Sequence, residues 1–308
     1  MILCAGLTPA WQHILVFDGF RYGEVNRAAE AHWCASGKVF NAGIAAHRLG
    51  GSSLTLAPVG GPVLPQIEAD LRRLGVPFRW VVTESATRVC TTLLDRSTRA
   101  VTELVENGRS LSAGELDAFL QAYAEEAARA KVVVLIGSLP AGTPDAYYRQ
   151  LLERTGCPAV LDFRGDGLLG ALDLKPYVVK PNREELARTV GHALDDDRAL
   201  LDAMRSLNRR GAQWVVITEG GRPVWLSSAQ KAYKLYPPAA AQVVNPIGCG
   251  DAMSAAIAWA TRDGRDIVEA VRLGIAAAGE NIQQLLPCRF DPAHVAEKAG
   301  LVRVDECE

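Results

Sequence analysis

Short β-rich runs at 2–7, 54–58, 132–136, 159–162, 177–180 and 214–218 alternate with stretches of helical character at 41–49, 64–74, 113–130, 145–154, 184–190 and 197–210. Few folds accept that alternation. Parallel strands need a crossover back to the starting edge of the sheet, and a helix is the usual crossover. The run Val132-Val133-Val134-Leu135-Ile136 is apolar at every position, as a strand covered on both faces must be. The chain is therefore expected to be α/β: a doubly wound, mostly parallel sheet flanked by helices, with ligands at the carboxyl ends of its strands. Two regions break the pattern. Residues 11–34 and 78–106 read as successive short strands, with runs at 14–17, 78–82, 88–94 and 100–105, and are expected to form a small antiparallel sheet placed as a lid. Nothing between them looks like an interdomain linker, so residues 1–308 are read as a single domain.

The segment Asn245-Pro246-Ile247-Gly248-Cys249-Gly250-Asp251 leads into the small-residue helical run Ala252-Met253-Ser254-Ala255-Ala256. Glycines on either side of Cys249 let the backbone turn tightly and approach a ligand. The N–H groups that open a helix have no intrahelical partners, and with the helix dipole they form an anion hole. Asp251 beside that hole would repel a bound phosphate, which suits a base acting on a hydroxyl that attacks phosphorus. An acid in the first turn of a helix is also common and stabilising in its own right.

Composition narrows the partners. Net charge is −2 with 22% charged residues, and there is no long run of like charge, which argues against nucleic acid or an anionic membrane surface. The densest cluster, Asp195-Asp196-Asp197, is expected to cap a surface helix. No apolar stretch approaches a membrane span, and no basic segment precedes the first strand. The 7 cysteines are scattered and never spaced as a pair two apart, which suits reduced thiols in a cytoplasm better than disulfides or zinc.

Several segments together resemble the ribokinase-like (PfkB) carbohydrate kinases, in particular the branch of 1-phosphofructokinase and tagatose-6-phosphate kinase. Leu7-Thr8-Pro9-Ala10-Trp11-Gln12 sits where that branch carries a T-L-N-P-A-L-D-like strand, and Gly23-Glu24-Val25-Asn26-Arg27 is similar to its G-x-V-N-R lid segment. Ala35-Ser36-Gly37-Lys38-Val39-Phe40-Asn41-Ala42 resembles the first signature, G-G-K-G-x-N-V-A. Thr87-Arg88, the stretch 102–108, Gly137-Ser138-Leu139-Pro140, Lys180-Pro181-Asn182-Arg183-Glu184-Glu185 and the loop ending at Asp251 follow in order. The resemblance spans nearly the whole chain.

It implies transfer of a phosphoryl group from ATP, with Mg²⁺, to a hydroxyl of a sugar or sugar phosphate. Asp251 would be the base, and the amides of Gly248, Cys249 and Gly250 would hold the transferred group. Gln12, Arg27, Ser36, Gly37, Lys38, Asn41, Arg88 and Ser138 would bind the sugar. Lys180, Thr218, Gly220 and Asn281 would line the nucleotide. Asn182 and Glu185 would stand behind Mg²⁺, although Asn followed three residues later by Glu is also a capping box. Thr218-Glu219-Gly220-Gly221 is equally a plain turn.

This chain departs from the family pattern on the sugar side. Gln12 replaces an acid, Ser36 and Val39 replace glycines, Cys90 replaces an asparagine and Pro223 a glycine. Val39 is expected to crowd the pocket. Lys38, Arg27 and Arg88 are retained and suit a phosphorylated sugar. The favoured expectation is a kinase for a ketohexose phosphate of the fructose 1-phosphate or tagatose 6-phosphate type. The alternatives are a kinase for an unphosphorylated sugar or nucleoside, and a non-catalytic sugar-phosphate sensor. Cys249 is either a thiolate favoured by the helix N-terminus or a small buried residue. A homodimer through the lid is the expected assembly.

Overall fold

The structure, a computed structural model, describes residues 1–307. Its strands are β1 (Ile2–Ala5), β2 (Ala10–Phe17), β3 (Glu30–Ser36), β4 (Ser53–Gly60), β5 (Phe78–Thr83), β6 (Arg88–Asp95), β7 (Ala100–Val105), β8 (Val132–Ile136), β9 (Ala159–Asp162), β10 (Val178–Val179), β11 (Trp214–Ile217), β12 (Val224–Ser227), β13 (Ala232–Tyr236) and β14 (Arg303–Cys307). Its helices are α1 (Lys38–Arg48), α2 (Leu64–Arg73), α3 (Ala113–Ala127), α4 (Tyr147–Leu152), α5 (Asp166–Leu169), α6 (Arg183–Val190), α7 (Asp197–Arg209), α8 (Cys249–Arg262), α9 (Ile267–Asn281) and α10 (Val295–Gly300).

Side chains alternate across a strand, and here the alternation divides the interior in two. Ile2, Cys4, Val132, Val134 and Ile136 face a core built with α1, α8 and α9. Leu3, Ala5, Val133 and Leu135 face a second core with Phe119 and Tyr123 of α3, Tyr148 of α4 and Met204 of α7. Both faces of the sheet are thereby covered, as the uniformly apolar β8 requires. The large sheet runs β14-β13-β12-β11-β10-β9-β8-β1-β4-β5. Pairing is parallel from β11 to β5, and β12, β13 and β14 add an antiparallel edge. Asp196 caps α7, its side chain accepting from the Ala199 N–H at 2.7 Å, as the acidic cluster suggests.

The small sheet runs β3-β2-β6-β7. Its outer pairs are antiparallel and its central pair, β2 with β6, is parallel. The run 78–82 does not belong to it. That run is β5, paired in parallel with β4 from Thr55↔Phe78 to Gly60↔Thr83 at the edge of the large sheet. No helix separates β5 from β6, so in sequence the two look like neighbours; residues 84–87 in fact carry the chain from one sheet to the other. Ile14, Val16, Cys34 and Leu94 of the small sheet pack on Leu285 and Leu286, which follow α9. Asp70 of α2 ties this junction: its Oδ2 accepts from the Ala35 N–H at 2.8 Å and from Arg289 at 2.6 Å. Among the described residues no helix is long and apolar enough to cross a membrane.

Candidate active site

The chain enters α8 through Gly248, whose φ of 84° lies in the left-handed region that favours glycine. Asp251 follows in the first turn of α8 with only 6% of its surface exposed. Its Oδ2 accepts a hydrogen bond of 2.8 Å from Asn41 Nδ2, and Asn41 Oδ1 accepts one of 3.0 Å from Ser36 Oγ. Burial pushes the Asp251 carboxyl up to about 6, with Asp162 adding to the rise while Lys38, Asn41 and Lys180 oppose it. A carboxylate with its midpoint near neutrality is suited to taking up a proton.

Asp162, at the end of β9, is the second buried carboxylate. Lys38 at the start of α1 lies 3.0 Å from its Oδ1, and Lys180 just beyond β10 lies 2.9 Å from its Oδ2. Ser254, one turn into α8, donates to Oδ2 at 2.7 Å. Burial alone would raise Asp162, but the two ammonium groups outweigh it and hold the carboxyl well below the usual range. Burial would likewise lower Lys38, yet the carboxylates of Asp162, Glu185 and Asp251 hold it above its ordinary value. Two neighbouring carboxylates are thus driven apart, one permanently charged and one poised to accept a proton. In the sequence Asp162 is only the last residue of a β-rich run. No local motif marks it; its significance comes from three segments converging on its two oxygens.

The expected anion hole is braced from behind. Asn281 Nδ2 donates to the Ile247 carbonyl at 2.8 Å and to Cys249 Sγ at 3.2 Å, and its Oδ1 accepts from the Cys288 N–H at 2.6 Å. Asn281 is fully buried, and both ends of its amide are engaged in bracing the loop. The Cys249 N–H is itself donated to the Pro246 carbonyl at 3.3 Å. Burial pushes the Cys249 thiol up to about 11, which favours the small buried residue over the thiolate. A side-chain carbon at Gly250 would stand 3.4 Å from Lys180 Nζ, which puts that ammonium directly against the opening turn of α8.

Asn182 and Glu185 form a complete capping box on α6: Glu185 N–H to Asn182 Oδ1 at 2.7 Å, and Asn182 N–H to Glu185 Oε2 at 2.9 Å. Glu185 Oε1 remains, 3.6 Å from Lys38 Nζ. Asn182, Thr218 and Gly220 meet in a cleft of about 540 Å³ at the carboxyl ends of β10 and β11, with Arg183, Glu184 and Glu219 on its walls.

The sugar-side residues divide. Gly37, with φ of 80°, caps α1 where a side chain would come within 2.9 Å of the Ala10 nitrogen. Ser138, beyond β8, is exposed and its carbonyl accepts from Thr8 Oγ1 at 3.1 Å. Gln12 is buried and donates to Thr92 Oγ1 at 2.6 Å. Arg88 is not a free anion hook: its guanidinium donates to the carbonyls of Pro9, Glu106 and Thr8 at 3.3, 3.1 and 3.0 Å. Arg27 is exposed on the loop between β2 and β3. Val39 points into the core and does not crowd a pocket, because α1 turns that position toward the sheet.

Several solved structures share this architecture. A possible 1-phosphofructokinase from Thermotoga maritima is 19% identical, with 100% of this chain and 99% of that one covered and a TM-score of 0.90. The tetrameric inhibited form of phosphofructokinase-2 from Escherichia coli is 22% identical, covers 97% and 99%, and gives a TM-score of 0.87. Ribokinase of Arabidopsis thaliana, complexed with ribose and ATP, is 20% identical, covers 97% and 98%, and gives 0.75. At such identities the likeness speaks for a ribokinase-like fold. The family profile described as pfkB family carbohydrate kinase matches residues 1–293, and by that match, across most of its length, the chain belongs to the PfkB carbohydrate kinases.

Proposed function

We propose that the chain transfers the γ-phosphoryl group of ATP to a hydroxyl of a ketohexose phosphate, of the fructose 1-phosphate or tagatose 6-phosphate type, with Asp251 as base. The observation that carries this is the buried Asp251 carboxyl, poised near neutrality at the mouth of an α8 terminus backed by Lys180. Asp251 takes the proton of the sugar hydroxyl as its oxygen bonds to phosphorus and the bond to the ADP oxygen breaks. The amides of Gly248 and Gly250 are the donors left for the oxygens of the phosphoryl group in flight. Thr218 and Gly220 place the nucleotide in the cleft that they share with Asn182.

No group of three or more His, Cys, Asp or Glu among the described residues could cage a metal. Mg²⁺ keeps several of its waters and takes phosphate oxygens, so the site fits an ion that arrives on the nucleotide. Asn182 and Glu185 Oε1 would hold its waters; when bound with ATP, the ion would offset phosphate charge.

A second reading is favoured by the commitment of Arg88 to carbonyls and by the exposed position of Arg27. Of the three expected phosphate hooks, only Lys38 stands beside Asp251, and it is already paired with Asp162. On that reading the acceptor is an unphosphorylated sugar; a phosphorylated acceptor would instead need Arg27 from a second copy. Tyr22 and Val25 on the same loop, 98% and 87% exposed, support pairing through the lid, which the mass of the particle in solution tests. The free, scattered thiols suit a reducing compartment such as the cytoplasm.

ADP release with MgATP across ketohexose phosphates and their unphosphorylated parents separates the readings. Turnover with phosphorylated acceptors alone supports the first, and turnover with unphosphorylated acceptors alone supports the second. ATP binding without turnover on any acceptor would leave a sensor.

A further inference from the structure

We propose that Ser36 is a positioning residue, whose hydroxyl holds the Asn41 amide with its nitrogen on Asp251. The inference rests on Asp251 being the base. It replaces the expected sugar contact, because Ser36 is 1% exposed and cannot reach a substrate.

The geometry is a continuous chain: Ser36 Oγ to Asn41 Oδ1 at 3.0 Å, then Asn41 Nδ2 to Asp251 Oδ2 at 2.8 Å. Asn41 is 2% exposed, so an Oδ1 without a donor would be left buried and unsatisfied. The amide could then recover only by turning, and turning carries its nitrogen away from Asp251. An amide oxygen facing a carboxylate is repulsive, so the base would lose a donor that favours its charged form. Ser36 is well placed for this duty. It is the last residue of β3, in register with Ala10 of β2, and the neighbouring Ala35 N–H is anchored on Asp70. The hydroxyl is therefore fixed at the junction of the small sheet with the body, and it joins the lid strand to the base. The other charged or titratable groups facing Asp251 are Lys38 of α1, Asp162 of β9, Lys180 beyond β10, and the thiols of Cys249 and Cys288. None of them is hydrogen-bonded to Ser36 Oγ.

The test compares Ser36→Ala and Ser36→Thr with wild type in the full chain. The Asp251 carboxyl is titrated directly by ¹³C NMR, its signal assigned by its loss in Asp251→Asn, and the pH profile of kcat/KM is measured beside it. Loss of one hydrogen bond to a charged group should raise the Asp251 midpoint by about one pH unit in Ser36→Ala. The acid limb of kcat/KM should move with it, giving a roughly tenfold loss on that limb, with the sugar KM unchanged. Ser36→Thr, which keeps the hydroxyl, should restore the wild-type midpoint. An unmoved midpoint in Ser36→Ala, or an equal displacement in both variants, overturns the proposal whatever the turnover. So does a raised sugar KM with kcat and midpoint unchanged, which would put the hydroxyl on the substrate. Because the titration needs no catalysis, an active Asp251→Asn would sink the base assignment separately.

Discussion

Replacing Asp251 by asparagine should stabilise the protein at alkaline pH. The carboxyl is lifted by burial from 3.8 to about 6, so ionising it in the folded state is harder than in the unfolded chain. For an acid with a raised folded pKa, the associated stability is fully present below the unfolded value and is lost as pH rises through the folded one. A displacement of about two pH units corresponds to about 3 kcal/mol, lost between pH 4 and pH 6 and absent from then on. Asparagine keeps the shape and can still accept from Asn41, but it carries no charge to desolvate. At roughly 2 °C per kcal/mol for a chain of this size, the variant should melt about 6 °C above wild type at pH 8. Near pH 4 the two should melt together. The assay is melting temperature against pH from 4 to 8 for both proteins. A difference that stays flat across that range would show that the carboxyl is not held in an unfavourable environment, and the argument for a poised base would fail with it.

Other substitutions read out different parts of the site. Asp162→Asn strips the partner from a buried lysine and should lower stability by about 3–5 kcal/mol, measured by urea unfolding at pH 7. Because Asp162 is held low, that deficit should persist above pH 5 and close only as pH falls below the ordinary carboxylate range. Val39→Gly should leave turnover near wild type and destabilise by about 2–4 kcal/mol, since Val39 belongs to the core and not to the pocket; urea unfolding with a parallel rate assay checks it. Cys249 should resist alkylation at pH 7.5 with or without nucleotide, and its labelling rate should climb only toward pH 11, followed by mass spectrometry.

The architecture was legible where periodicity and burial agree. β8 is apolar throughout because both its faces are covered, and the helices between the parallel strands keep their apolar stripes. β5 was misassigned because a half-exposed edge strand reads like a lid strand, and its parallel register with β4 has no local signature. The antiparallel edge of β12, β13 and β14 was not anticipated, since short strands without intervening helices leave a weak pattern.

In the site, the loop at 245–251 was readable because its constraint is local: a left-handed glycine, a helix start and an acid. Asp162 was not, because its partners Lys38, Lys180 and Ser254 lie on three separate segments. Arg88 and Asn281 show the converse. Their residue types suit ligand contact, but the structure employs their donors on backbone carbonyls and the loop instead.

The most direct test of the proposed chemistry is the turnover of Asp251→Asn, followed as ADP release with MgATP and the best acceptor from the panel, with ATP affinity measured in parallel. Loss of a positioned base predicts a fall in kcat of about 10²–10⁴ with ATP binding retained. A variant that binds ATP and keeps kcat within a few-fold of wild type would contradict the assignment of Asp251 as the base.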